Sequence, residues 1–502
     1  MPLVFFLIVA MFPSCQRGKG NTNKDLTLDA FSGMETHLYN IDYHAIRKGL
    51  AALSAHDTGK FAADKRTRQY YRDGRPLLWV DFHGAGRGAD TLLRYLRETR
   101  YAGTDTGIFR LNTIRNDMTK LRQLDFDGGE GINDVIARLE YNLTRAFLRY
   151  AATQRFGFVN PGRLLNHLEV KDSGGGKTIY HHLFDIPVQR ADDGFYTRAF
   201  SALAHDSVEA FLEYVQPANP LYIPLTEKLR TAATGAEREK IICNIERCRW
   251  RQSTFPPGRG KYVTVNIPAF ALYAVDGDST LPMKVICGSK KAKTPLLTSS
   301  IARMDVNPKW IVPPSIAKGY VHDTAYMRRE HMYILDKERG RVDYHEASMD
   351  KVARHEQYLI QEGGAWNSLG RIIFRFPNNF SVYLHDTSSP RLFARRVRAM
   401  SHGCVRVEKP LALASFLLGA EDKKTAERIE YSMTIDPNDP DAAGKDKAEA
   451  TKAIASVSVK PEVPLFINYY TCYPDSSGEL KEYDDIYGYD EAIINELRPY
   501  IK

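Results

Sequence analysis

Apolar residues recur at three- and four-residue spacings through residues 105–124, 133–154, 206–214 and 225–249, the period of amphipathic helices. Asn160-Pro161-Gly162, residues 172–176 and residues 217–220 punctuate that half. Beyond residue 260 the pattern shortens. Runs at 262–267, 269–275 and 283–287 are rich in β-branched and aromatic residues. Two more, at 372–376 and 380–385, are joined by Pro377-Asn378-Asn379, a hairpin signal. The pattern predicts an α+β protein: a mainly helical domain over 25–255, then a β-rich domain over 256–502 that opens after a Pro/Gly linker at 256–260. A chain of 502 residues is also too long for one core, so two or three domains follow.

Alternation along 380–385 puts Ser381, Tyr383 and His385 on one face and Phe380, Val382 and Leu384 on the other. After a loop at 388–390 and a helix-like piece at 391–400 comes Ser401-His402-Gly403-Cys404-Val405-Arg406-Val407. There Cys404 and Arg406 share a face while Val405 and Val407 point into the core. A thiol attacks a carbonyl only as thiolate, and a neighbouring imidazole supplies that state. His385 precedes Cys404 by 404 − 385 = 19 positions, a separation suited to adjacent strands of one sheet. Gly403 allows close backbone approach to a ligand, and the amides of Gly403 and Cys404 are candidates for an oxyanion hole. The alternative is a buried core cysteine beside a satisfied core histidine.

The run His385-Asp386-Thr387 followed by Ser401-His402-Gly403-Cys404-Val405-Arg406 resembles the signature of L,D-transpeptidases with the YkuD-type catalytic domain, enzymes that cross-link peptidoglycan. The resemblance covers roughly 261–497, through Tyr262-Val263-Thr264-Val265-Asn266, Gly288 with Thr294-Pro295, Asn307-Pro308-Lys309-Trp310, Asn367-Ser368-Leu369-Gly370, Tyr469-Tyr470-Thr471 and Asp485-Ile486-Tyr487-Gly488. It is similar to the large periplasmic branch, whose helical scaffold is matched here by 143–148 and 244–250. That branch usually inserts a small peptidoglycan-binding repeat before the Asn-x-Glu-Arg stretch, and here Asn219-Pro220-Leu221 runs almost directly into it.

The resemblance implies that Cys404 is the nucleophile and His385 its base, oriented by a backbone carbonyl rather than by Asp386. It implies turn and oxyanion support from His402 and Gly403, substrate contacts from Tyr383, Arg406, Trp310 and Asn367, and no cofactor. Donor and acceptor stem peptides of peptidoglycan are the implied partners. Transfer to water in place of an amine would make a carboxypeptidase or endopeptidase with the same site, and a non-catalytic envelope scaffold is the reading from another class.

A long polar insertion at 314–364 corresponds to the family's lid over the cleft; where members often carry Arg-Gln, this chain has Ile360-Gln361. Arg391, Arg395, Arg396, Arg398 and Arg406 form a basic set near the site, suited to carboxylates on stem peptides. Residues 411–418 form an almost wholly apolar helix, started by Pro410 and capped by Gly419, expected to be buried and to brace the nucleophile strand. Residues 436–450 read as a surface linker.

With 43% apolar and 26% charged residues the composition is globular. The net charge, 69 − 61 = +8, suits an anionic polymer. No zinc-finger spacing, basic helix or aromatic RNA-binding signature accompanies it, so nucleic acid is set aside. Of six cysteines, Cys243 and Cys248 have a poor metal spacing with no histidine cluster; they read as separate core residues and no metal is expected. Residues 3–12 are an unbroken apolar run of signal-peptide length ending in Phe12-Pro13-Ser14-Cys15. This resembles a lipoprotein signal that leaves Cys15 as a lipidated terminus and 16–24 as a polar tether, with a membrane-anchored periplasmic location. No Lys or Arg precedes the run, and Phe12 and Pro13 are unusual in a lipobox.

Overall fold

The computed structural model describes residues 39–81, 84–126, 129–172, 178–252, 260–438 and 453–502. The signal-like stretch with Cys15, the linker over 253–259 and most of 436–450 lie outside the described residues. The chain divides into two units.

The first unit comprises residues up to Phe158, Gln189–Arg251 and Glu496–Lys502. Its helices include Tyr43–His56, Ala62–Arg72, Leu111–Gln123 and Ile132–Phe156. Ile132–Phe156 is buried around nearly its whole circumference, a pattern that requires its polar residues to find partners inside. They do. Glu140 accepts N–H bonds from Trp79 (3.0 Å) and Val80 (3.2 Å) and an O–H bond from Tyr71 (2.8 Å). Arg149 forks onto Asp64, with Nη2 2.7 Å from Oδ2. The single helix expected over 225–249 is two, Tyr222–Thr231 and Gly235–Arg249, because Thr234 accepts the Glu237 N–H (3.1 Å) and starts a new helix. Cys243 and Cys248 are both buried on the second, and neither is in a disulfide.

The second unit comprises Val159–Val188 and Gln252–Asn495. A contiguous split at 255/256 is therefore corrected. Residues Val159–Val188 belong with the β domain because strand β1 (Phe184–Asp185) pairs with its sheet, and Glu496–Lys502 belong with the helices through the Thr104–Ile501 bridge. The strands that form the closed part of that sheet are β2 (Lys261–Asn266), β3 (Ala271–Asp276), β4 (Ser279–Gly288), β5 (Leu296–Val306), β6 (Ile372–Arg375), β7 (Leu384–His385), β8 (Val405–Val407) and β9 (Ser456–Asn468). Their pairings run β6–β7–β8–β4–β3–β2–β9–β5 and return from β5 to β6, so the sheet closes on itself and exposes no free edge there. Pairs β7–β8 and β2–β9 are parallel; the other pairs of the ring are antiparallel.

Only Leu384 and His385 of the run at 380–385 are strand. Upstream, the Asn378 side chain accepts the N–H groups of Phe380 (3.0 Å) and Val382 (3.2 Å) and donates to the Val382 carbonyl (2.8 Å), and Ser381 adopts φ +54°. An Asx-type turn thus outcompetes the ladder. Residues 391–400 likewise are no regular helix: a short 3-10 turn, Pro390–Ala394, leads to strand Ala399–Ser401, which pairs with β4.

The insertion at 314–364 has a core of its own. Val312, Ala317, Val321, Met327, Met332, Ile334, Val352 and Leu359 are buried together. Strands Trp310–Ile311, Gln357–Gln361, Met332–Asp336 and Gly340–Val342 form its sheet. The apolar helix Pro410–Leu418 is buried only along Leu413, Ala414 and Leu417. Leu411 and Phe416 instead line an open cleft of about 530 Å³ with Lys261 and Lys423, so its uniform apolarity overstates its burial.

Candidate active site

Parallel pairing of β7 with β8 puts Leu384 opposite Val405 and His385 opposite Arg406. The Val405 N–H donates to the Tyr383 carbonyl (3.1 Å), which locks the approach to each strand. Val405 and Val407 are buried, which leaves Cys404 and Arg406 on the other face. Cys404 is half-buried, and the other described cysteines are fully buried.

Burial pushes the Cys404 thiol up to about 11, against a backbone hydrogen bond from Tyr383 and the Arg406 charge that both favour thiolate. His385 moves the other way. Burial, then the positive charge of Arg406, lowers it to about 4. The backbone of Leu369 and Asp386 opposes that shift, yet the buried Nδ1 forms no hydrogen bond of good geometry. At neutral pH the pair is thus thiol and neutral imidazole, and the imidazole is free to accept a proton.

The backbone of Asp386 and Leu369, and not the Asp386 carboxylate, acts on the histidine. The Asp386 carboxylate accepts the Arg371 N–H (2.8 Å) and packs where a Cβ on Gly370 would sit, 2.4 Å from its Cγ. Gly370 also has φ +65°, so both space and backbone demand glycine.

Asn367 takes a different role from the substrate contact expected of it. It is fully buried, its amide donating to the carbonyls of Glu362 (2.8 Å) and Pro308 (3.1 Å) and accepting the Leu369 N–H (2.8 Å). It fixes the loop that carries Leu369, whose backbone acts on His385. Trp310 is half-buried, pairs opposite Gln361 and packs on the insertion's core. Asn367 had the composition of a site residue, and only its burial distinguishes it.

Tyr383 stands with its ring 6.0 Å from that of His385 and 5.6 Å from the Arg375 guanidinium. Burial and the Cys404 charge push its hydroxyl up to about 12, so it stays protonated. Arg406 is half-buried, and its buried Nε has no hydrogen-bond partner. His402 is exposed on the turn, whereas His385 is buried. Of the other arginines, Arg391, Arg395 and Arg396 are exposed, while Arg398 donates to the carbonyls of Val285 and Phe270 (both 3.1 Å).

Gly403 adopts φ +116°, and a Cβ there would meet nothing closer than 3.5 Å, so the backbone and not crowding requires glycine. Ser401 closes the turn, accepting the Gly403 N–H (3.2 Å) and donating to the Cys404 carbonyl (2.6 Å). Its position two residues before the glycine was the signal for this. Among the described residues no three His, Cys, Asp or Glu side chains converge on a metal position.

Residues 260–438 match the family model of the YkuD L,D-transpeptidase catalytic domain, and residues 64–229 match that of the Scaffold domain. A Haemophilus influenzae protein named "Putative L,D-transpeptidase" is 29% identical over 315 residues, 61% of this chain and 60% of that protein. The chain carries a YkuD L,D-transpeptidase catalytic domain together with a Scaffold domain, and with them the α+β architecture that its motifs announce.

Proposed function

We propose that the protein is a peptidoglycan L,D-transpeptidase acting through a Cys404 acyl-enzyme. The observation that carries this reading is the parallel β7–β8 pair, which sets the strand of a neutral, buried imidazole beside that of the one half-exposed cysteine among those described.

In the proposed reaction His385 takes the thiol proton as sulfur attacks the carbonyl of the diamino-acid residue in a donor stem. A C–S bond forms, the C–N bond to terminal D-alanine breaks, and the leaving amine receives the proton. An acceptor amine then attacks the thioester. Its proton passes to His385, the C–S bond breaks, and the imidazole returns the proton to the thiolate. Because the resting thiol sits high and the imidazole low, proton transfer accompanies attack and no ion pair stands ready beforehand. Arg406, half-buried on the same face as Cys404, suits a stem carboxylate. The insertion at 314–364 acts as a lid that positions the amine and excludes water. A lipid anchor at Cys15 would hold the enzyme at the envelope membrane, which mass spectrometry of the native N-terminus tests.

Purified protein incubated with disaccharide-tetrapeptide should yield a covalent adduct that has lost D-alanine, followed by cross-linked dimer. Cys404→Ala should yield neither. Tripeptide as the sole product would assign a carboxypeptidase instead, and no adduct at all would sink the acyl-enzyme.

A further inference from the structure

The register of β8 on β4 pairs Arg406 with Ile286. Continued by two residues it would set Cys404 opposite Gly288, and the Cys404 N–H would be consumed in the ladder. That does not happen, because both backbone groups of Gly288 are diverted. Its N–H donates to the Thr294 hydroxyl (2.8 Å) and its carbonyl accepts from the Tyr487 hydroxyl (2.7 Å). The Thr294 N–H in turn donates to the Tyr487 hydroxyl (3.1 Å).

Each hydroxyl therefore receives one proton and must point its own elsewhere. For Thr294 the direction is determined: its hydroxyl donates to the Gly403 carbonyl at 2.7 Å. That carbonyl belongs to the same peptide unit as the Cys404 N–H, and in a trans peptide the two point in opposite directions. Holding one aims the other. The Cys404 N–H makes no hydrogen bond among the described residues. Thr294 is fully buried, so it touches no substrate.

We infer that Thr294 is a positioning residue for acyl transfer: through the Gly403 carbonyl it fixes the Gly403–Cys404 peptide plane so that the Cys404 N–H is presented to the oxygen that gains negative charge when sulfur adds to the donor carbonyl. This rests on the Cys404 acyl-enzyme proposed above. Loss of one preorganised donor commonly lowers turnover by about a hundred- to a thousandfold, and a donor left in place but released from its aim costs less.

The test separates the two chemistries of the same sulfur. Acylation by disaccharide-tetrapeptide needs an oxyanion donor; alkylation by iodoacetamide needs only thiolate. In the full chain, Thr294→Val should slow acylation by about tenfold or more, chiefly in kcat, while alkylation of Cys404 stays within about twofold. Thr294→Ser should restore most of the acylation rate. If the valine variant does not fold, Thr294→Ala is judged by the same ratio. Equal acylation by wild type and a folded variant, or a parallel loss of acylation and alkylation, overturns the inference. A wild-type protein that alkylates but never acylates removes the acyl-enzyme reading itself and Thr294's role with it.

Discussion

His385 and Arg406 sit directly opposite each other on the parallel strands β7 and β8, and the guanidinium charge acts on base and nucleophile in opposite senses. It disfavours imidazolium and favours thiolate, so it drives protons off both. Replacing Arg406 with Gln should therefore raise the thiol further and slow iodoacetamide alkylation at pH 8. The acid limb of kcat/KM should move to higher pH, because His385 becomes easier to protonate. An unmoved acid limb would mean that burial alone sets the histidine.

Alkylation of native wild type should modify Cys404 alone among the described cysteines, since the others are fully buried. Its rate should climb about tenfold per pH unit from 7 to 10 without levelling, as a thiol near 11 requires. A plateau at neutral pH would indicate a preformed thiolate.

The buried histidine also carries a stability signature. Its folded value near 4 lies below the ordinary 6.5, so the unfolded chain takes up this proton first. The contribution of this group to stability is present above pH 6.5 and is lost as pH falls from 6.5 towards 4, with a slope approaching about 1.4 kcal/mol per pH unit. Urea unfolding at pH 7 and pH 5 should show His385→Asn losing less stability on acidification than wild type. Equal losses would refute the burial argument.

Asn367→Ala removes the four hydrogen bonds of a fully buried side chain and should lower unfolding stability by about 2–4 kcal/mol. Activity should fall through His385 orientation, with KM for the donor stem little changed. A selective rise in KM would return Asn367 to the substrate.

Since the insertion has its own core and is entered through the pair Ile311–Ile360, replacing residues 313–358 with a short Gly-Ser turn should leave the barrel folded. Products should then shift from dimer to tripeptide, read by muropeptide analysis. An unchanged ratio would deny the insertion any part in acceptor choice.

What was legible in the chain was whatever a local pattern can carry. Long helical periods located Ile132–Phe156, alternation located β2 to β4, and the Ser-His-Gly-Cys run with a histidine 19 positions earlier located the paired strands. Patterns failed where a side chain competed with the backbone, as Asn378 does against the strand at 380–383 and Thr234 against a continuous helix. Burial was misjudged where polarity was the guide. Asn367 looks like a ligand group and is a clip, and helix Pro410–Leu418 looks like core and is half at the surface. A two-residue strand such as β1 has no period at all, so the assignment of Val159–Val188 to the β domain was invisible.

That crossing of segments bears on how the molecule is made. The barrel holds strand β1 from the early part of the chain and strand β9, which fills the place between β2 and β5, from a much later one. The helical unit in turn incorporates Glu496–Lys502. During synthesis neither body can finish before the ribosome has delivered β9 and the segment beyond it, so the two mature together and not one after the other. A fragment cut at residue 255 would lack strands and bridges on both sides of the cut.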